Sequence, residues 1–444
     1  MGFVLELSLI FLNFATQLNR TSTLLEPLFA LPYSIYLLAV VWVTRSGRRE
    51  RYTSAVIVIT AFAFVMNATF LLQAPSLSFD IYRYMWDGKV AANGINPYLY
   101  WPNATELVRL RDANWELVNH KELRTGYPPL MEMLFEALYL AFRSILSYKI
   151  TFFLFDLATI GTICLILREL KLELKNALIY AWAPLPIVEI TQSGHNDSAA
   201  IFLVLVSFLL LLRNRNNSSA IVMALAVLTK LYPLFFAPVL FKRWGKWGTA
   251  SFLALLFALH IPYANIGGKI YLGLLYAINT SYFNGSAFPF LTNLVSWTKL
   301  TSNPGFGAQV MTYFIYASLL LWALWKSFRR STTSIELMKT AFLLTGAVLL
   351  LDRSPFAWYL TWIIPFLCFF SSSSWMLLTG TTFLGYMKYN TLPPPPFEGV
   401  SPLTAFGIDL IQYVPFYVIL AYELFNHKIR LRPQTVLASS PNTR

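Results

Sequence analysis

Long apolar runs separated by short polar links make up most of the 444-residue chain. Runs close to the ~20 residues that cross a ~30 Å hydrocarbon layer recur from the first residues almost to Asn426. No polar stretch between them is long enough to form a separate soluble domain. The pattern therefore predicts one all-α integral membrane domain over residues 1–444, a polytopic bundle of about twelve transmembrane helices.

The predicted crossings alternate in direction between the two faces of the membrane. They cover residues 3–15, 26–44, 53–73, 149–167, 176–192, 201–212, 249–263, 310–325, 335–351, 356–370, 375–389 and 405–425. The segment 264–307 is expected to be a loop.

The longest polar stretch, residues 74–126, carries six acidic and six basic residues. This neutral balance fits the outer face of a membrane better than a cytoplasmic loop. Tyr127-Pro128-Pro129 then opens an apolar helix, which we expect to lie in or dip into the outer interface. Residues 74–148 are thus predicted to form a large first extracytoplasmic loop with interfacial helices.

A second irregular segment lies between Arg215 and Lys242. The sequence Lys230-Leu231-Tyr232-Pro233 interrupts the apolar stretch there, and each half is too short to cross alone. The pattern predicts a broken helix or a re-entrant hairpin. Because irregular backbone at membrane depth must be buried in protein or line a wet cavity, this break is a candidate site.

Composition and charge agree with a membrane protein. Hydrophobic residues make up 57% of the chain and charged residues 12%, against roughly 25% charged residues in ordinary soluble domains. The net charge of +13 comes from basic residues in short links, a pattern of cytoplasmic loops and not of a nucleic-acid-binding face. These links contain Arg45, Arg48, Arg49, Arg51, Arg213, Arg215, Lys242, Arg243, Lys246, Lys326, Arg329, Arg330, Lys428, Arg430 and Arg432. Cys164 and Cys368 lie in apolar runs, so we expect neither a disulfide nor a metal site.

The strongest candidate for catalysis is Asp80, at the start of the segment Asp80–Gly88. A sugar on a lipid phosphate can be transferred by single displacement, which needs a base for the acceptor hydroxyl and cations for the departing phosphate. Asp80 could supply the base. The alternative is structural, with Asp80 capping a short helix and Asp87 pairing with Arg83 at helical spacing.

His195-Asn196-Asp197-Ser198 begins a predicted helix on the same face as the long loop. His195 and Asn196 could donate hydrogen bonds to a sugar or a phosphate, helped by the positive end of that helix. The alternative is that Asn196 or Asp197 only caps the helix.

Two cations are candidates to hold a phosphate. Lys230, if deep, costs roughly 2.5 to 3.5 kcal/mol on insertion scales and needs an anionic partner, which could be a lipid phosphate or Asp156. Arg353 lies in the link Asp352-Arg353-Ser354-Pro355, where it could clamp the phosphate or simply sit in a solvated turn.

Taken in order, six segments resemble those of the C superfamily of membrane glycosyltransferases. They are Asp80–Gly88, the helix opened by Tyr127-Pro128-Pro129, Phe155-Asp156-Leu157, Gly194–Ser198, Thr229–Pro233 and Ser354–Tyr359. The chain is most similar to polyprenyl-phosphate-mannose-dependent mannosyltransferases of bacteria and archaea, and more faintly to the catalytic subunit of glycosylphosphatidylinositol mannosyltransferase I. The resemblance covers most of residues 80–362.

The resemblance implies inverting transfer, a catalytic Asp in the first large extracytoplasmic loop, and no nucleotide-sugar domain or cofactor. Asp80 would be the base. Because Ser78 stands where relatives have the first Asp of a paired motif, Asp80 and Asp87 remain as the catalytic carboxylates and no metal site is expected. The residues expected to bind substrate are Arg83, Tyr84, Trp86, His195, Asn196, Asp197, Lys230, Tyr232 and Arg353.

The expected partners are a polyprenyl-phosphate sugar, the lipid bilayer and an acceptor that could be a glycolipid, a glycan or a protein. Two alternatives remain, namely another polyprenyl-linked sugar such as a pentose or glucose, and a non-catalytic carrier or flippase. A prokaryotic plasma membrane is the favoured location and the endoplasmic reticulum the second, because the tail lacks a dilysine ending.

Overall fold

The computed structural model describes residues 1–18, 25–45, 52–75, 77–299, 301–329, 332–388 and 402–432. Four basic residues of the predicted cytoplasmic links, Arg48, Arg49, Arg51 and Arg330, lie outside this part of the chain.

The described residues of the first half of the chain form ten α-helices. They are α1 (Gly2–Leu18), α2 (Leu25–Arg45), α3 (Tyr52–Leu71), α4 (Asp80–Ala92), α5 (Pro129–Phe142), α6 (Ile145–Glu169), α7 (Leu178–Ala181), α8 (Pro184–Pro186), α9 (Asp197–Leu212) and α10 (Asn216–Thr229). Short 3₁₀ turns cover Thr105–Leu110, Trp115–Leu117, Leu174–Ala177 and Tyr232–Phe235, and a π-helix covers Ile187–Gln192.

The second half adds nine α-helices within the described residues. They are α11 (Ala237–His260), α12 (Leu272–Thr280), α13 (Ala287–Thr298), α14 (Pro304–Arg329), α15 (Ser334–Leu351), α16 (Ile364–Leu367), α17 (Ser373–Thr381), α18 (Leu384–Met387) and α19 (Pro402–Phe425). Further 3₁₀ segments cover Ile261–Tyr271 and Ala357–Trp362. Two short strands, β1 (Phe370–Ser371) and β2 (Arg430–Leu431), pair antiparallel with Phe370 opposite Leu431.

Seven of the described helical segments are long and apolar enough to cross a membrane. They are Leu28–Arg45, Ser54–Leu71, Ile145–Glu169, Ala237–Thr280, Pro304–Phe328, Ser334–Leu351 and Thr404–Phe425. Four shorter apolar helices, such as Asp197–Leu212, lie among them. The prediction of an all-α polytopic membrane bundle is therefore confirmed.

Three predicted crossings are not continuous helices. Residues 176–192 form short helical pieces and residues 356–370 form a 3₁₀ segment, α16 and β1. Residues 375–389 divide between α17 and α18, with Tyr389 outside the described part. Pro184, Pro186 and Pro365 help to explain the breaks, since proline disrupts a helix interior. The backbone can be irregular here because protein surrounds most of it.

The predicted loop 264–307 is largely helical, with α12 and α13 inside it. Both helices are short, and each buries one face and exposes the other. Gly273 and Phe288 are buried, whereas Leu272 and Phe290 are exposed. The polar residues between them suggested a loop because each helix is too short to give a clear apolar run.

The break at Lys230 separates α10 from α11, and the chain turns back at the break to form a hairpin. α10 ends at Thr229, and α11 is interrupted at Gly245, whose φ of 68° is left-handed. Arg243 Nη2 donates to Asn214 Oδ1 at 2.7 Å, so the chain has returned to the level at which α10 begins. Lys230 thus lies at the tip of the hairpin.

The basic end of the bundle lies opposite this tip. Arg213 Nε pairs with Glu169 Oε1 at 2.7 Å, and Lys242 Nζ donates to the carbonyl of Ser327 at 3.3 Å. The bundle therefore has a basic end, where these residues meet, and a second end that contains Lys230. We refer to the second as the site end.

A small apolar cluster attaches the 74–148 region to the bundle at the site end. It includes Ile81 and Tyr84 of α4, Phe135 of α5, Phe152 of α6 and Ala199 of α9. The cluster fixes the first turn of α4 against the start of α9.

Two glycines allow this close packing. A Cβ on Gly88 would lie 2.3 Å from the Phe135 carbonyl oxygen, so α4 could not approach α5 as closely with any other residue. Gly194 has a φ of 79°, and a Cβ there would lie 2.4 Å from Ile81 Cδ1. Glycine at 194 thus permits the contact that brings α4 beside the turn preceding α9.

Candidate active site

Asp80 begins α4 and faces the space beside the turn before α9. Its side chain is 21% exposed. Asn119 Nδ2 donates to Oδ1 at 2.5 Å, and the Asp80 backbone amide donates to Ser78 Oγ at 3.2 Å. Asp80 does not cap the helix with its side chain, since Phe79 holds the N-cap position. The carboxylate is thus anchored by the loop and partly open.

His195 lies directly against Asp80, in the turn that Gly194 makes possible. Its side chain is fully buried, with Nδ1 3.7 Å from Asp80 Oδ2 and Nε2 3.5 Å from Glu189 Oε2. The ring stacks on Trp358 with 4.0 Å between centroids. Burial, and then the charge of Lys230, lower the pKa of His195 well below its usual range, so that the ring is neutral.

Lys230 pairs with Asp197 and not with Asp156. Its Nζ lies 2.8 Å from Asp197 Oδ1 and 3.5 Å from Asn196 Oδ1. Asp156 instead accepts a 2.5 Å hydrogen bond from the Tyr180 hydroxyl. The hairpin tip meets the start of α9, which explains why Asp197 is the internal partner.

Asn196 occupies the N-cap position of α9, but its side chain makes no capping hydrogen bond. Asp197, fully buried, accepts from Trp362 Nε1 at 2.5 Å in addition to its pair with Lys230. Asn196 Nδ2 is buried and has no hydrogen-bond partner among the described residues. The start of α9 therefore holds polar atoms that serve purposes other than capping.

Aromatic rings form a wall around Lys230. Tyr232 stacks on Trp362 with centroids 4.2 Å apart, and Trp362 stacks on Tyr359 at 4.5 Å. Lys230 Nζ lies 5.1 Å from the Tyr359 ring centroid. This wall holds the ammonium group near the tip of the hairpin through cation–π contact.

Arg353 belongs to a neighbouring part of the site end. Its guanidinium lies over the rings of Tyr282, at 4.1 Å, and Phe288, at 4.8 Å. Its carbonyl accepts from the Phe283 amide at 3.4 Å. The residue is half-buried, so the link is not a freely solvated turn, and Arg353 is not in contact with Lys230.

Arg83 and Asp87 form a separate buried cluster on α4. Arg83 Nε lies 2.9 Å from both carboxylate oxygens of Asp87, which is 2% exposed. Glu132 of α5 accepts from Thr125 Oγ1 at 2.5 Å nearby. Burial raises the pKa of Asp87, against the lowering effect of Arg83, and raises the pKa of Glu132 well above its usual range. The pairing considered as the structural alternative for Asp87 is present.

Tyr84 and Trp86 are packing residues in this geometry. Tyr84 stacks on Phe135 at 4.7 Å within the apolar cluster of α4 and α5. Trp86 packs in another cluster with Leu107 and Val118 of the 74–148 region. Of the predicted site residues, the structure brings together Asp80, His195, Asn196, Asp197, Lys230 and Tyr232.

Several residues of this site carried no predicted role. Four of them contact predicted residues, namely Asn119, Glu189, Trp358 and Trp362, and Tyr386 contacts Glu189. Glu189 was the one with a detectable signal, since a carboxylate inside an apolar run is costly and marks function. The others lie at positions that only the folded chain brings close.

Within the described residues, no group of three or more histidine, cysteine, aspartate or glutamate side chains is arranged to hold a metal ion. Cys164 and Cys368 are both free thiols.

Comparisons with known proteins match this chain to a protein family and to solved structures. Residues 7–246 match a family model described as "Alpha-(1->6)-mannopyranosyltransferase, N-terminal domain". A crystal structure of ArnT from Cupriavidus metallidurans bound to undecaprenyl phosphate aligns with a TM-score of 0.46 and 16% identity, over 84% of this chain. The chain spans 64% of that protein's length. A search of curated proteins finds no match.

Proposed function

Because this chain belongs to the alpha-(1->6)-mannopyranosyltransferase family, we propose that it moves mannose from a polyprenyl phosphate to an acceptor hydroxyl, with inversion at the anomeric carbon. The observation that carries the proposal is the meeting of Asp80, His195 and Lys230, which come from three distant segments, at one end of a membrane bundle.

Asp80 is the general base. The acceptor O–H bond breaks, its proton passes to Asp80, and the acceptor oxygen forms a bond to the anomeric carbon. The bond from that carbon to the phosphate oxygen breaks, and the polyprenyl phosphate leaves with the electron pair. A single displacement of this kind inverts the anomeric configuration. Asn119 holds Oδ1 of Asp80, so the carboxylate is oriented before the acceptor binds.

Lys230 stabilises the leaving phosphate. In the absence of substrate it pairs with Asp197, and a phosphate that reaches the hairpin tip would share or replace that pair. Positive groups aimed at the oxygen where charge develops lower the barrier most in a site that excludes water. Asn196 Nδ2, which is buried and has no partner in the described part of the chain, can donate to the same phosphate.

Arg353 is the second phosphate contact. Its guanidinium lies on the rings of Tyr282 and Phe288, and its half-buried position leaves the planar group able to meet a phosphate from one side. Asp87, in contrast, serves the proposed site as a support, since its pair with Arg83 stiffens the helix that begins at Asp80.

The site faces the extracytoplasmic side. The basic end of the bundle contains Arg213 and Lys242, and basic residues remain on the cytoplasmic side of membrane proteins. The site end lies opposite. Because the cations above can meet the leaving-group charge, we expect transfer to persist in excess chelator.

Purified protein should be incubated with labelled polyprenyl-phosphate mannose, glucose or pentose in separate reactions, each with a membrane glycolipid extract as acceptor. Label from mannose is expected to move to the acceptor, with and without chelator. Consumption of the glucose or pentose donor alone would overturn the mannose assignment. Loss of transfer in chelator with recovery on adding magnesium or manganese would overturn the metal-free mechanism.

A further inference from the structure

The environment of His195 is unusual for a buried imidazole. Neither ring nitrogen makes a hydrogen bond to any residue that the structure describes, although the side chain is fully buried and fixed against Trp358. Buried polar atoms are nearly always paired, so an exception needs an explanation. Each nitrogen lies within a few tenths of an ångström of hydrogen-bonding range of a carboxylate. Such contacts commonly shorten when substrates bind.

We propose that Glu189 and His195 are positioning residues for Asp80, with Glu189 protonated, its proton directed to His195 Nε2, and His195 Nδ1–H directed to Asp80 Oδ2. This inference rests on the proposed function, in which Asp80 is the base. It adds to that function the groups that orient Asp80 and keep it ionised.

The direction of the hydrogen bonds follows from where charge can be tolerated. A neutral imidazole donates from one nitrogen and accepts at the other. The accepting nitrogen must face a protonated carboxyl group, which is either Asp80 or Glu189. Glu189 is fully buried, and no lysine or arginine in the described chain lies within ion-pair distance of it. Burying an unpaired carboxylate is costly, so the proton belongs on Glu189 and not on the partly exposed Asp80.

The second oxygen of Glu189 agrees with this arrangement. Tyr386 donates its hydroxyl hydrogen to Oε1 at 2.8 Å, which leaves Oε2 as the protonated oxygen facing His195. The charged and titratable groups around the pair are Asp80, Asp197 and Lys230, in addition to Tyr386. Lys230 disfavours a positive imidazole, which favours the neutral ring that the proposal needs.

Two substitutions at His195 separate its two nitrogens. The amide nitrogen of His195→Asn can occupy the place of Nδ1, and that of His195→Gln the place of Nε2. Both variants lose the ring and its stacking on Trp358, so each controls for the other. We expect kcat to fall about 10-fold less in His195→Asn than in His195→Gln, with similar KM values, because only His195→Asn keeps a hydrogen bond to the charged Asp80.

Two substitutions at Glu189 separate its proton from its charge. The amide of Glu189→Gln can donate to His195 and accept from Tyr386, whereas Glu189→Met keeps only the volume. We expect kcat to fall no more than about 5-fold in the first and about 100-fold in the second. The acidic limb of the pH profile of kcat should move to higher pH in His195→Gln, since the ionised form of Asp80 loses a hydrogen bond there.

Equal losses in Glu189→Gln and Glu189→Met would show that Glu189 acts as an anion and would overturn the inference. Equal losses in the two His195 variants, with Asp80→Asn inactive, would overturn it and leave the proposed function standing. Turnover in Asp80→Asn would overturn both. If thermal unfolding in detergent shows that Glu189→Met does not fold, the comparison of His195→Asn with His195→Gln tests the inference alone.

Discussion

Asp80 and Asp87 lie seven residues apart on one helix, yet they belong to two different kinds of polar cluster. Asp87 is closed off, held by Arg83 and covered by protein. Asp80 is partly open, with 21% of its side chain exposed against 4% for Asp87. Within the described residues both clusters contain a buried polar atom without a hydrogen-bonding protein group, Arg83 Nη2 in one and Asn196 Nδ2 in the other. The exposure of the carboxylate therefore distinguishes the two clusters, because a general base must come within hydrogen-bonding reach of the proton that it removes.

The largest effect should come from Asp80→Asn, which removes the base and preserves the volume. We expect the protein to fold normally and transfer to fall about 100- to 10,000-fold, as is typical of losing a general base. The matched control is Asp112→Asn, an exposed loop aspartate that pairs with Lys89 at 2.7 Å and should keep its activity. Near-normal turnover in folded Asp80→Asn would remove Asp80 from the mechanism.

Asp87→Asn should show the opposite behaviour. Breaking its buried pair strands the charge of Arg83, which costs about 3 to 5 kcal/mol of stability. We expect a large drop in melting temperature, while kcat per folded molecule changes much less than in Asp80→Asn. A well-folded Asp87→Asn variant as inactive as Asp80→Asn would make Asp87 a second catalytic carboxylate.

Lys230→Gln tests the phosphate contact. Losing one charged hydrogen bond is expected to slow transfer and weaken binding of the sugar donor by about 10- to 100-fold. The substitution also strands Asp197, so the melting temperature should fall and recover in the double variant Lys230→Gln with Asp197→Asn. Transfer should not recover with it. Restored transfer in the stable double variant would assign Lys230 a structural role only.

Glu132→Gln should have the smallest effect at neutral pH. Burial raises the pKa of Glu132 well above its usual range, so folding favours the protonated form. The resulting stability is fully present below the unfolded-state pKa of about 4.3 and is lost as the pH rises through the folded-state value. Glu132→Gln mimics the protonated group. Its melting temperature should therefore fall less at alkaline pH than that of the wild-type protein. Identical pH dependence of melting in both would exclude Glu132 as a buried acid.

The sequence predicted the membrane bundle and the hairpin at Lys230 because both depend on local patterns of apolar length and interruption. It also singled out Asp80 as a carboxylate beside the membrane, His195 as a polar residue at a helix start, and Lys230 as a charge that is costly at membrane depth. It did not predict that Asp197 would pair with Lys230, because α9 and the hairpin tip meet only through tertiary packing. Trp358 and Trp362 were hidden for a related reason, since an aromatic residue in an apolar run looks the same whether it faces lipid or a site.

The configuration of the new glycosidic bond tests the central claim most directly. Carbon-13-labelled β-linked polyprenyl-phosphate mannose should be supplied to the purified protein, and the one-bond coupling between C1 and H1 of the product measured by NMR. Single displacement with Asp80 as base predicts an α-linked product. A β-linked product would mean retention of configuration and would contradict the assignment of Asp80 as the base of a single displacement.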